Sequence, residues 1–318
     1  MVLIVINTYA SALYAYFGVL PFIQSATIKA VSISDVQVLQ PIFPIPSLNF
    51  VDSLYFVIAG VIVSLIVRFF LSDIKEKTCK RAATIAFFII QKLFLPLMPL
   101  FICGMILKQK MEGTMGLLLK DYVFICSIIL FLQHSYILMM YALASNFNFH
   151  SMLKRLRNVM PAGLMAFTTA SSLAALPLSL EAADKNTNNS PISNIVSSLT
   201  VNFHLVGDSF STPILALSTL VAFNASLPSL STYCVFIFYL MIGRLAGAGI
   251  PGGTLLITIS VLENKLGFNP EMMGLILAIE FLLDPFTTLG NVLGNGAFVI
   301  IYNKLFQNPF FQVIFARI

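Results

Sequence analysis

Charge is scarcest in this chain. Only 10% of its 318 residues are charged, against 58% hydrophobic, and the mean hydropathy is +0.93. A soluble domain is roughly a quarter charged, so a water-soluble enzyme, a nucleic-acid binder and a disordered chain are all excluded. The four cysteines, Cys79, Cys103, Cys126 and Cys234, form no CxxC pair and lie far apart; small apolar residues within helices is the simpler account, and neither a metal nor a disulfide is inferred. No nucleophile–base–orienter set stands out, so no enzyme and no catalytic residue is expected. The first apolar run, Val2 to Ile28, lacks the basic flank of a cleavable signal. The composition calls for an all-α multi-pass membrane protein.

Spanning helices need about 20 apolar residues, and candidates fall near 3–28, 54–72, 83–107 and 121–145. A net charge of +5 fits Lys and Arg held in cytoplasmic loops and implies no nucleic acid. Arg68, Lys75, Lys77, Lys80 and Arg81 form one basic loop and Lys154, Arg155 and Arg157 another; both are expected on the cytoplasmic side. The segment from Val31 to Ser53, with three prolines, reads as an irregular excursion.

Beyond residue 150 the apolar runs are interrupted. Residues 158–180 carry Thr168, Thr169, Ser171, Ser172 and Pro177, and 194–222 is broken by His204, Gly207 and Asp208. Residues 232–262 hold Arg244 and a glycine-rich run, and 272–305 contains Glu280, Asp284, Asn291 and Asn295. Paired interrupted segments are the sequence mark of a transporter's binding site, because backbone leaves helical pairing inside a bilayer only where protein or a polar cavity receives it. Helix ends there offer unpaired N–H and C=O groups to ions and substrates.

Three of these segments carry a resemblance. The run from Ala166 to Pro177 resembles the serine-rich tip of hairpin 1 in the glutamate transporter family, the dicarboxylate/amino acid:cation symporters. Ala248-Gly-Ile-Pro-Gly-Gly253 resembles the tip of hairpin 2, and Asp284-Pro-Phe-Thr-Thr-Leu-Gly-Asn-Val-Leu-Gly-Asn295 resembles the signature of the last helix. The resemblance implies a glutamate-transporter-like fold with two re-entrant hairpins and broken helices, working as an elevator in a homotrimer embedded in lipid. It places a partial scaffold at 1–120 and a transport core at 121–318: a span, hairpin 1 near 158–180, a broken helix at 194–222, hairpin 2 near 232–262 and a last helix at 272–305. Counted back from its end, the chain is expected to begin near the family's fourth span and to lack the first three.

The resemblance also assigns roles. Asp284 matches the aspartate that holds a substrate ammonium, and Asn291 matches the amide that holds its carboxylate and helps bind sodium. Thr288 and Thr287 line the same site; Ser171 and Ser172 cradle the carboxylate; Gly249, Ile250 and Gly252 form the closing tip. Asn295 takes the place of a cation-binding aspartate. An ungapped reading of the seventh span puts His204 and Val206 where the family has asparagine and aspartate, and Asp208 in the side-chain pocket. A one-residue slip would instead make Asp208 the cation ligand, and both readings stay open. His204 is a candidate site for a coupled proton; Arg244 either replaces a cation or snorkels; Glu280, one turn before Asp284, has a structural role as its simplest account.

Members that take acidic substrates pair the side-chain carboxylate with an arginine, and those positions here are Thr287 and Ala170. The expected function is a secondary active symporter for a neutral amino acid, coupled to sodium by family habit or to a proton, in a bacterial inner membrane. The alternatives are a C4-dicarboxylate or acidic amino-acid carrier, and a degenerate or truncated non-transporting membrane protein.

Overall fold

The computed structural model describes residues 2–25, 115–188, 190–247 and 253–307, with isolated positions between 59 and 111. The expected spans near 54–72 and 83–107 fall largely outside the described residues, and so do the excursion at 31–53 and the hairpin 2 tip. All regular structure among the described residues is helical: α1 (Val2–Ser25), α2 (Met115–Ala144), α3 (Phe149–Thr169), α4 (Leu176–Thr187), α5 (Pro191–Phe203), α6 (Asp208–Ala222), α7 (Leu230–Gly247), α8 (Gly253–Leu266) and α9 (Pro270–Gln307). Among the described residues, four stretches are long and apolar enough to cross a membrane: Val2–Ile23, Tyr122–Ala144, Pro191–Ala222 and Pro270–Gln307. The chain is an all-α multi-pass membrane protein.

Two compact units divide it. The first comprises Met1–Ile28, Asp121–Ser218 and Ile279–Ile318; the second comprises Lys29–Lys120 and Thr219–Ala278. In the first unit, α1 hides its polar groups against its own backbone: Thr8 Oγ1 donates to the Ile4 carbonyl at 2.9 Å and Ser11 Oγ to that of Thr8 at 2.8 Å. Gly18 lies against Leu132 of α2, leaving no room for a larger residue without moving that leucine. The long helix α9 packs through small residues in the same way, with Gly163 of α3 against Leu289 and Leu293, Gly294 against Val206, and Gly296 against Tyr141 and Val159. Small residues let backbones approach where lipid supplies no hydrophobic drive for helix association.

Helices α3 and α4 form a hairpin with longer arms than the expected 158–180. Asn148 caps α3, its side chain accepting from Ser151 N at 2.9 Å. At the far end Ala170 stands in the left-handed region at φ 46°, a conformation that costs an L-residue about 1–2 kcal/mol. The chain turns through Ser171–Ala175, and Pro177 stands in the first turn of α4, where its missing N–H leaves nothing unpaired. Near the open end, Asn158 Nδ2 donates to Asn186 Oδ1 at 2.8 Å and Asn186 Nδ2 to the Arg155 carbonyl at 3.1 Å, so the arms run antiparallel.

In the second unit α7 and α8 pair as another hairpin, with Lys265 Nζ 3.9 Å from the centre of the Tyr239 ring.

Candidate functional site

The spanning run from Pro191 is interrupted at 204–207 and resumes at Asp208 as α6. Gly207 is where the break meets α9: a Cβ there would collide with the Thr287 carbonyl, so only glycine permits this approach. Its N–H donates to Asn291 Oδ1 at 2.7 Å. The interruption thus exchanges a helical bond for a side-chain amide one helix away, as irregular backbone in a bilayer requires.

One turn along α9, His204 is fully buried and bonded at both ring nitrogens. Nδ1 lies 2.7 Å from Asn295 Oδ1 and Nε2 lies 2.6 Å from Asn7 Nδ2. Asn7 Oδ1 accepts from the Tyr136 hydroxyl at 2.8 Å. With an amide oxygen on one side and an amide N–H on the other, neutral imidazole protonated at Nδ1 satisfies both contacts. The Phe298 ring covers the imidazole at 4.5 Å between centroids. This chain of bonds ties α1, α2, the α5–α6 break and α9 together. Asn295 Nδ2 is buried with no hydrogen-bond partner among the described residues.

His204, and not Asp208, is therefore bonded to Asn295, while Val206 is buried against Gly294. Asp208 opens α6 close enough to Asp284 for their charges to repel. Both carboxylates are half-buried, and among the described residues no ion pair reaches either. Asp284 Oδ1 accepts from Thr288 Oγ1 at 3.2 Å. Thr287, at the position the resemblance links to an arginine, is buried and donates to the Asp284 carbonyl at 3.1 Å. Farther toward the N-terminus of α9, the Thr212 hydroxyl donates to the buried Glu280 carboxylate.

The α3–α4 hairpin is laid against this stretch. Phe167 meets Phe286 edge-on at 5.1 Å, and Gly163 meets Leu289. The antiparallel register of these contacts carries the tip toward the level of Asp284. At the tip, Thr169 Oγ1 donates to the Met165 carbonyl at 2.7 Å and Ser171 Oγ accepts from Ala174 N at 3.2 Å. The Ser172 hydroxyl has no partner among the described residues. Gly249, Ile250 and Gly252 lie outside the described residues; Arg244 is buried near the end of α7, in the second unit.

Three residues of this network carry no role in the sequence reading. Asn7 and Gln133 are isolated amides in apolar runs, a signal that intramembrane polarity always merits. Gln133 Nε2 donates to the Phe286 carbonyl at 3.1 Å, in space that Gly290 leaves open. Tyr136 had no such signal, because tyrosine is common in spans and its partner is 129 residues away.

Long apolar helices, one span broken around a polar centre and a helical hairpin laid beside it are the construction of a membrane transporter. The sequence matches the sodium:dicarboxylate symporter family over residues 2–305, and the chain belongs to that family. None of the curated proteins compared with it matches. It is an integral membrane protein and a symporter-type transporter, and its family implies a small-molecule substrate and a coupling cation such as sodium. No group of three or more His, Cys, Asp or Glu among the described residues gathers to hold a metal ion.

Proposed function

We propose that the protein is a secondary active symporter that moves a neutral amino acid by an elevator motion of its core, driven by a cation gradient. The observation that carries the substrate class is the Asp284 site. A half-buried carboxylate bonded to Thr288 suits a substrate ammonium, and Asn291, Ser171 and Ser172 supply amide and hydroxyl groups for its carboxylate. An acidic side chain would meet Thr287 committed to its own helix, no arginine at Ala170, and the repulsion of Asp208. A buried carboxylate without a partner costs several kcal/mol.

Asp208 favours a second reading. Two carboxylates without an ion pair among the described residues suit an amino acid with a cationic side chain, whose ammonium groups would engage one each. Sodium is the coupling ion the family supports, and Asn291 and Asn295 supply amide oxygens; each already accepts one hydrogen bond, and an amide oxygen has a second lone pair. The tip of the first hairpin and the glycine-rich run of the second act as gates, with three copies assembling in the cell membrane.

Uptake of labelled alanine, serine, lysine, aspartate and succinate into proteoliposomes, with and without a sodium gradient, tests this reading. Gradient-driven alanine or serine uptake supports the first version and lysine uptake the second. Uptake confined to aspartate or succinate sinks both versions of the substrate claim.

A further inference from the structure

The corner between α2 and α3 stands apart from the transport site. Helix α2 is a spanning candidate from Tyr122 to Ala144, about 34 Å at 1.5 Å per residue, slightly more than a hydrocarbon core of about 30 Å. Near the end of another span, Lys304 of α9 donates to Asn146 Oδ1 at 2.8 Å, so both spans end at this corner and at one depth. Arg155 Nη1 reaches back to the Ala144 carbonyl at 2.6 Å and closes the α2 C-terminus. Two cations are thus spent on holding the turn.

The turn they hold points apolar rings outward. Asn146 and Phe147 both stand in the left-handed region, at φ 52° and 58°, which is an outlier for a bulky residue. Phe147 and Phe149 are 74% and 71% exposed, and Leu153 follows one turn later at 52%. Beside this lane, Lys154 and Arg157 are three residues apart on one helical face, exposed and without an ion pair among the described residues. The acids nearest in the hairpin are Glu181, already paired with Lys185 at 2.6 Å, and Asp184.

We propose that this corner is a binding site for an anionic phospholipid, with Lys154 and Arg157 holding the phosphate-bearing headgroup and Phe147, Phe149 and Leu153 lying along its acyl chains. The charge is complementary to an acidic leaflet, the rings sit at the depth where amphipathic side chains meet headgroups, and the strained Phe147 backbone is kept by two structural cations. The proposal needs only a membrane protein and does not depend on which solute is carried.

The chain contains no tryptophan, so one introduced indole reports a single place. Phe149→Trp would be reconstituted into mixed phosphatidylcholine and phosphatidylglycerol vesicles in which either lipid carries brominated chains at equal mole fraction. Brominated phosphatidylglycerol is expected to associate roughly two- to fivefold more strongly than the brominated zwitterionic lipid, and Lys154→Gln with Arg157→Gln is expected to abolish that preference. Phe131→Trp, in mid-span and 67% exposed, should show none. Equal quenching of the Phe149→Trp protein by both lipids overturns the proposal. So does a preference that survives the double glutamine change, or one equally strong in the Phe131→Trp protein. Leu153→Trp repeats the test should Phe149→Trp fail to fold.

Discussion

The α5–α6 break and the α3–α4 tip are both places where helix stops inside the first unit, yet their polar atoms are disposed in opposite ways. At the break three groups reach other helices: Gly207 N to Asn291, His204 to Asn295 and Asn7, Asn7 to Tyr136. At the tip the hydroxyls bond within a turn of themselves, or to no described residue, and Ala170 is held in a strained conformation. Long-range bonds between buried groups fix geometry, because leaving one partner unpaired costs about 1–3 kcal/mol. Short local bonds fix little beyond the turn and leave the hydroxyls able to turn toward a ligand. The break is a frame, and the tip suits the contact surface proposed for it.

Substitutions should separate the two. Gly207→Ala forces a methyl against the Thr287 carbonyl, and since that carbonyl is backbone and cannot swing aside a loss of about 3 kcal/mol is expected, read as a collapse of the thermal transition in detergent. His204→Leu strands the Asn7 amide N–H and the Asn295 oxygen; a destabilisation of ~2 kcal/mol is expected, with Asn7→Ala showing a similar but smaller shift in the same melt. If His204→Leu melts as the parent does, the break is no frame.

Asp284→Asn probes the proposed substrate site and not the frame. Substrate uptake should fall at least about 30-fold, as when one partner of a buried charge pair is removed, while the melting temperature holds or rises because an uncompensated carboxylate is gone. At the tip, Ala170→Gly relieves the left-handed strain and should stabilise by about 1 kcal/mol. The smallest effect on stability is expected for Ser171→Ala, within about 0.5 kcal/mol, combined with a raised KM for uptake and an unchanged melt. A large loss of stability at Ser171 would erase the distinction between tip and frame.

Much of this was legible along the chain because a bilayer penalises polarity so heavily. An apolar run interrupted by His204, Gly207 and Asp208 marks a broken span, and Asp284 with Asn291 and Asn295 on one stretch marks a polar helix facing protein. The three motifs in order led to the family that residues 2–305 match. The antiparallel hairpin has longer arms than the small-residue segment suggested, since its first turns, from Phe149 to Arg157, are amphipathic and do not read as an apolar span.

What was not legible was partnership. Whether Asp208 lies in the side-chain pocket or, with a one-residue slip, serves as the cation ligand is not decided by spacing, because both registers satisfy the pattern. The backbone turns His204 onto Asn295 and sets Asp208 near Asp284. Likewise α1, grouped by sequence with the 1–120 region, is bonded through Asn7 to His204 and Tyr136 and is clustered with the unit that holds the break. The solvent, the helices, the places where they stop and the family can be read along the chain, since hydropathy and small-residue motifs are local properties. Which polar atoms satisfy one another is set by the packing of the helices, because a buried hydrogen bond depends on two helices arriving at the same depth and angle.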